Sequence, residues 1–388
     1  MSCVQASDVF ELLRDGTPRT RAQLAEVTGL ARSTIAARVD ELLQLGLIAP
    51  TGGVSTGGRP PSLLSMNPRA RVVAGVDVGA THVALVLGDL SGEILGEVST
   101  AMDVAEGPEQ VLAWVLEAVG TLLAAHGRSA GDLAAIGIGL PGPVEHSTGR
   151  AINPPIMPGW DRYDVPRRIH AEYAVPVLVD NDVNIMALGE QRARFRDVQD
   201  LIFVKVATGI GAGIISGGAL QRGAQGTAGD LGHVRVGASQ AACRCGNTGC
   251  LEAVAAGPAL AAALTRAGVP AASGQDVVDL ARAGDLTAVQ VVRQAGRDLG
   301  EVLATMVNLM NPSVVVIGGR IAASGEHLLA GIREVVYQRS LPLATEHLRM
   351  VPSMVGQRAA VQGAVAMAVA HVLSPEQIEL AVRRLAGA

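Results

Sequence analysis

A mixed α/β fold, with a small winged helix-turn-helix unit ahead of a duplicated, two-lobed α/β scaffold, is predicted by three features of the 388-residue chain. Helix caps and an i, i+4, i+7 apolar pattern fill residues 1–70. Three apolar runs, at 72–78, 201–206 and 314–317, each lead into a glycine-bearing turn, as buried strands of an α/β sheet do. Hydrophobic residues make up 49% and aromatic ones only 2%, so the interior must be built from Ala, Val, Leu and Ile. A chain of this length holds two or three units. The expected division is 1–70 for the front unit with its linker and 71–388 for the rest: a small lobe over about 71–185 plus a C-terminal helix over about 357–388, and a large lobe over about 186–356.

Val9, Leu12 and Leu13 mark a first helix ending at Asp15-Gly16. Thr20 with Gln23 three residues on is a capping box for a second helix, Arg21 to Val27, with Leu24 and Val27 facing inward. Thr28-Gly29-Leu30 turns the chain. Ile35, Val39 and Leu42 then line one face of a third helix, Ala31 to Leu45, and leave Arg32, Ser33, Thr34 and Arg38 on its outer face or N-terminal end. From those positions a helix-turn-helix meets base edges and phosphates in the major groove. Leu47-Ile48-Ala49 and Leu63–Met66 bracket a glycine-rich loop, a wing whose Arg59 would enter a narrow minor groove. A helical oligomerisation module is the alternative. Seven Arg against six acids in residues 1–70 make any contact a positioned patch rather than bulk attraction. The expected partner is double-stranded operator DNA, read by a homodimer or homotetramer.

In the scaffold, Gly79 lets the backbone approach a phosphate, Thr81 can donate to it, and Asp77 can hold Mg²⁺ through water. Thr208-Gly209-Ile-Gly211 repeats the device about 130 residues later, and Gly318-Gly319 would flank an adenine. Each turn alone is an ordinary strand–helix connection; their order and spacing point to a duplicated fold closing on a nucleotide from both sides, ATP with Mg²⁺ if the chain is a kinase. Asp180-Asn181-Asp182-Val-Asn184 ends another buried strand and runs into a helix from Ile185 to Arg194, at the crevice where α/β proteins bind ligands. Asp182 would accept a proton from a sugar hydroxyl attacking a γ-phosphate; the competing reading is a helix N-cap. Gly137-Ile-Gly139-Leu-Pro-Gly142 matches the dinucleotide fingerprint literally, but the turn-rich segment after it makes it a strand end lining a cleft.

Cys243-Arg-Cys245-Gly-Asn-Thr-Gly-Cys250, ten residues after a turn ending at His233, reads as a Cys3His structural Zn²⁺ site. Chance clustering of cysteines is the alternative. Cys3 is the only other cysteine, so no disulfide framework is indicated.

The net charge of −5 gives no global pull toward nucleic acid or membrane. No long apolar run or charged-then-apolar leader is present, so a soluble cytoplasmic protein with no membrane partner is expected. Lys205 is the only lysine, inside the strand-like run 201–206. A Gly-Lys-Ser/Thr phosphate loop and a protein kinase are therefore excluded.

Asp77-x-Gly79-x-Thr81, Asn181-Asp182, Gly229-Asp230-Leu-Gly-His233 and Cys243-x-Cys245-Gly-x-x-Gly-Cys250-x-Glu252 together resemble the ROK family of sugar kinases and sugar-responsive repressors. The front unit makes the whole chain similar to its regulator branch. The resemblance implies an actin-like ATPase fold, a sugar or sugar phosphate held by Asn181, Asp182, His233 and Glu252, Asp182 as catalytic base in active kinases, and zinc on His233, Cys243, Cys245 and Cys250. Asn153 resembles a further sugar contact. Asp230 stands where the family usually has Glu, and Ala80 where a glycine is usual. The expected function is a sugar-responsive regulator, most simply a repressor. The second reading is an ATP-dependent sugar kinase with an appended DNA-binding unit, and the third a DNA-bound scaffold with a vestigial cleft.

Overall fold

Thr20 accepts a hydrogen bond from the Gln23 N–H at 3.2 Å while Gln23 Oε1 takes the Thr20 N–H at 2.8 Å. This capping box opens the second helix of the computed structural model, which describes residues 5–51, 62–237 and 239–387. The front unit comprises α1 (Ala6–Glu11), α2 (Arg21–Thr28), α3 (Arg32–Gln44) and the antiparallel pair β1 (Ile48–Thr51) and β2 (Leu63–Met66). Gly29 at φ 69° makes the turn between α2 and α3, a conformation glycine adopts without a Cβ clash. Ile35, Val39 and Leu42 are buried as their spacing predicts. Two details differ. The first helix ends at Glu11 and continues to Gly16 as successive turns. Val27 is 62% exposed rather than inward-facing, because it lies roughly 60° round a short helix from Leu24, the one residue that α2 buries. Cys3 and Arg59 fall outside the described residues.

The remainder repeats one topology twice. Strands β3 (Val72–Val78), β4 (His82–Asp89) and β5 (Ile94–Ala101) form an antiparallel meander. After α4 (Pro108–Ala125), β6 (Leu133–Leu140) joins parallel to β3. A small hairpin, β7 (Val144–Glu145) and β8 (Arg150–Ala151), and α5 (Val165–His170) precede β9 (Val177–Asn181), parallel to β6. Helix α6 (Asp182–Arg194) crosses to the second sheet, where β10 (Leu201–Val206), β11 (Ile210–Ser216) and β12 (Ala219–Gln221) form the second meander. Helices α7 (Leu251–Ala255), α8 (Gly257–Arg266), α9 (Gly274–Arg282) and α10 (Leu286–Met310) lead to β13 (Val314–Gly318), parallel to β10. Helices α11 (Glu326–Arg339) and α12 (Pro342–Thr345) lead to β14 (Arg349–Pro352), parallel to β13, and α13 (Arg358–Val372) and α14 (Pro375–Ala386) close the chain. The C-terminal segment is thus two helices bent by 49°: Ser374 caps α14, and Pro375 can donate no helical N–H. Among the described residues no single helix is long and apolar enough to cross a membrane.

Four apolar cores hold these layers. Helices α6 and α13 pack against each other between the sheets with no room for side chains at Gly189 and Gly363: a Cβ on Gly363 would strike the Ile185 carbonyl, and one on Gly189 the Ala359 carbonyl. Such close backbone packing fixes the start of α6 relative to both sheets.

Candidate functional site

The C-terminal ends of the parallel strands of both sheets open on one cavity of about 1470 Å³, the crevice position that α/β topology favours for ligands. Its lining includes the residues the sequence singles out for a sugar, Asn153, Asn181, Asp182, Asp230, His233 and Glu252, and those singled out for a nucleotide, Asp77, Gly79, Thr81, Thr208, Gly209, Gly211, Gly318 and Gly319.

The helix expected from Ile185 begins three residues earlier, at Asp182, and the N-cap role falls to Asn181 and not to Asp182. Asn181 is the N-cap: its Oδ1 accepts the Val183 N–H at 2.9 Å, and its Nδ2 donates to the Gly142 carbonyl at 2.5 Å. Asp182 is the first residue of α6, buried, with its carboxylate ion-paired to Lys205 Nζ across from β10. Asp180 faces the opposite way, buried against Arg222 Nε at 2.6 Å, Asn184 Nδ2 at 2.7 Å and the Asn181 N–H at 2.8 Å. It anchors the strand end.

Lys205 lies opposite Gly211 on β11 and Gly318 on β13, so the chain's one ammonium stands amid the glycine turns. Burial drives its pKa down, but Asp182 and then Asp77 outweigh that, and the net shift is upward. Neither this pairing nor the one at Asp77 was legible in the sequence. His82 Nε2 lies 3.2 Å from Asp77 Oδ2, which raises the imidazole pKa, and the same ring covers the face of Gly79 where a Cβ would stand. The first phosphate-type turn is thus masked by its own hairpin, and a nucleotide with Mg²⁺ would fit there only with the ring swung aside.

The loop bearing Asp230 and His233 is seated by glycines: Gly229, at φ 94°, and Gly232 abut the Ala212 and Ile210 carbonyls too closely for any side chain. Asp230 is exposed, 4.0 Å from His233 Nε2. Glu252 reaches back from α7 to accept the Ile210 N–H at 3.2 Å. Asn153 adopts φ 45°, and its N–H donates to Asp161 Oδ1 at 2.8 Å.

His233, Cys243, Cys245 and Cys250 place one ligand atom each within 4.8 Å of one another. The Cys245–Cys250 Sγ separation is 3.7 Å and Cys243 Sγ to His233 Nδ1 is 3.6 Å. Tetrahedral bonds of about 2.3 Å to sulfur imply edges of about 3.8 Å, so this donor set fits a single Zn²⁺ ion. Burial pushes the Cys250 thiol up to about 12, whereas the Asn247 backbone N–H draws Cys245 down.

In the front unit Arg32 and Ser33 are exposed at the start of α3 and Thr34 is half-buried. Arg38 is forked onto Glu41, with Nη1 at 2.8 Å and 3.0 Å from its two oxygens.

Comparison with known proteins adds the following. The model of the ROK family matches residues 73–371, and a winged helix-turn-helix DNA-binding model matches residues 9–49. A putative xylose repressor of Caldicellulosiruptor sp. (strain Rt8B.4) is 32% identical, over 94% of this chain and 95% of its own. The crystal structure of a ROK family transcriptional regulator, a homolog of the E. coli MLC protein, superposes with a TM-score of 0.84 at 28% identity, covering 97% of this chain and 98% of that one. A ROK hexokinase from Thermus thermophilus gives a TM-score of 0.66 at 31% identity, over 78% of this chain and 99% of its own.

Proposed function

The chain belongs to the ROK family, and we propose that it is a sugar-responsive transcriptional repressor, its winged helix-turn-helix on operator DNA and its inter-sheet cleft on a sugar. One observation carries this reading: similarity to a named repressor spans head and cleft alike, over 94% of the chain, whereas the hexokinase covers only 78%. We divide the chain accordingly, with residues 1–70 as the DNA-binding unit and linker and 71–388 as the sugar-binding part.

Within the cleft we assign the sugar to Asn153, Asp182, Asp230, His233 and Glu252, with Asn181 setting the register of Asp182. Arg32, Ser33, Thr34 and Arg38 take the major groove. We assign Zn²⁺ to His233, Cys243, Cys245 and Cys250; the ion supplies folding energy to the loop that leads into Glu252. Two copies related by a two-fold axis would read paired half-sites, and a sugar that binds one lobe arrangement better than the other shifts DNA occupancy by that difference in affinity.

Glycine turns around residues 209, 211 and 318 favour a second reading, an ATP-dependent sugar kinase, in which these turns with Asp77, Gly79 and Thr81 would hold ATP and Mg²⁺ once the His82 ring has left Gly79. The deciding experiment selects DNA fragments on the full-length protein and challenges the complexes with sugars. The repressor reading expects a retained fragment that one sugar class displaces. Sugar-dependent ADP release without any sequence-selective DNA retention would replace it with the kinase.

A further inference from the structure

Lys205 is the only lysine among 388 residues, and it is spent on Asp182 in the middle of the cleft. The pairing joins the start of α6 to β10 of the second sheet. An ammonium carries three donors and no acceptor, and a carboxylate only accepts. Side by side they complement a hydroxyl group, which donates once and accepts once or twice. The same cleft is poorly set for phosphoryl transfer, because the His82 ring covers the face of Gly79 that a phosphate would approach.

Charge around the pair points to the kind of ligand. Asp182, Asp230 and Glu252 bring three carboxylates to the residues assigned to the sugar, against Lys205 as the one ammonium. The arginines lining the cavity are engaged elsewhere or exposed: Arg282 on the Ala323 carbonyl, Arg320 on Gln275 and Arg358 on Glu97, with Arg244 at the surface, where solvent screens its pull. Arg222 is committed to buried Asp180. Beside Asp182, Asp230 and Glu252 a dianionic phosphate would meet three carboxylates, while Arg282 and Arg320 keep their charge on neutral acceptors of α9 and of the segment after β13.

We propose that Lys205 and Asp182 form a two-group grip on one hydroxyl of a neutral, unphosphorylated sugar, which the cleft binds and does not convert. The proposal rests on the reading of this cleft as a sugar site and adds the ligand's charge class and a specificity-determining residue.

The test is calorimetric titration of the full-length protein with D-xylose, D-glucose and N-acetyl-D-glucosamine and with their phosphate esters, repeated on Lys205→Met and Lys205→Arg. One neutral sugar should bind wild type, its ester at least tenfold more weakly. Lys205→Met should weaken the neutral sugar by at least tenfold, and Lys205→Arg, which keeps a cation beside Asp182, should keep part of the affinity. With Mg²⁺ and ATP present, that sugar should elicit no ADP. An ester that binds as tightly as its sugar, a Lys205→Met protein with unchanged affinity, or sugar-dependent ADP release by wild type each overturns the proposal while leaving the sugar site standing. Failure of both ligand classes to bind wild type removes the sugar site as well. Should Lys205→Met not fold, the ratio of ester to sugar affinity on wild type decides alone.

Discussion

Cys250 and Glu252 stand two positions apart at the start of α7, the thiol 3.7 Å from Cys245 Sγ and the carboxylate 3.2 Å from the Ile210 backbone nitrogen on the cleft wall. A metal on the thiols therefore sets the helix start that aims Glu252. Stripping the metal with a chelator should lower the melting temperature and weaken sugar binding together. Loss of one charged hydrogen bond to the ligand corresponds to roughly 1.5–3 kcal/mol. Cys245→Ser should reproduce both effects with one zinc ion fewer per chain by elemental analysis. Undiminished metal content in that variant removes Cys245 from the ligand set.

Glu41 holds both ends of its carboxylate on Arg38 Nη1, a negative charge beside the guanidinium that opposes its approach to phosphate. Glu41→Ala should strengthen DNA binding, and Arg38→Ala should weaken it by about 1–3 kcal/mol at one sequence if Arg38 reads a base, or uniformly if it touches phosphate. Mobility-shift titrations at two salt concentrations separate these outcomes. Unchanged binding by Arg38→Ala eliminates the contact.

Asp15 receives Arg19 in a fork, with Nη1 and Nη2 at 2.8 Å and 2.5 Å, and the Thr17 N–H at 2.8 Å, and its carboxyl is held well below the usual range, by the Arg19 hydrogen bonds first. A carboxyl depressed in the folded state stabilises above its unfolded value of about 3.9 and loses that contribution as pH falls through the lower folded value. Asp15→Asn should therefore lower the melting temperature of the front unit at pH 7, and the difference from wild type should shrink on acidification below about pH 4. A pH-independent difference would assign the effect to packing.

Gly363→Ala places a methyl against the Ile185 carbonyl at the α6–α13 contact. Overpacking of this kind costs about 1–3 kcal/mol or more, and here it should displace Asp182 as well, so denaturant unfolding and sugar affinity should fall together. A variant as stable as wild type would mean that the helices slide apart freely.

What the sequence disclosed and what it hid divide by separation along the chain. The His233–Cys250 cluster and the Thr20–Gln23 box are local, so spacing alone exposes them, whereas the helix expected from Ile185 begins at Asp182 with Asn181 as its cap. The topology repeat was legible through the glycine turns after β3, β10 and β13. Lys205 with Asp182 and Arg222 with Asp180 lie 23 and 42 positions apart, and only strand pairing and the path of α6 bring them together. Lys205 did stand out, as a lone charge in an apolar run, but a run of strand residues says nothing of which carboxylate faces it. Val27 was misplaced because a helix of eight residues has too few apolar positions to define its buried side.

The apolar interior of the front unit is continuous with the outer layer of the first sheet and with α13 and α14, through Val73, Val86, Ala135, Val361, Val365 and Ile378, and the Ser7 N–H donates to Glu379 on α14 at 2.9 Å. The reading head is therefore bolted to the lobe beneath it instead of dangling on a tether. In a pair of such chains on DNA, a tilt of this lobe would carry its head along with it, and release would need no loosened joint between the two.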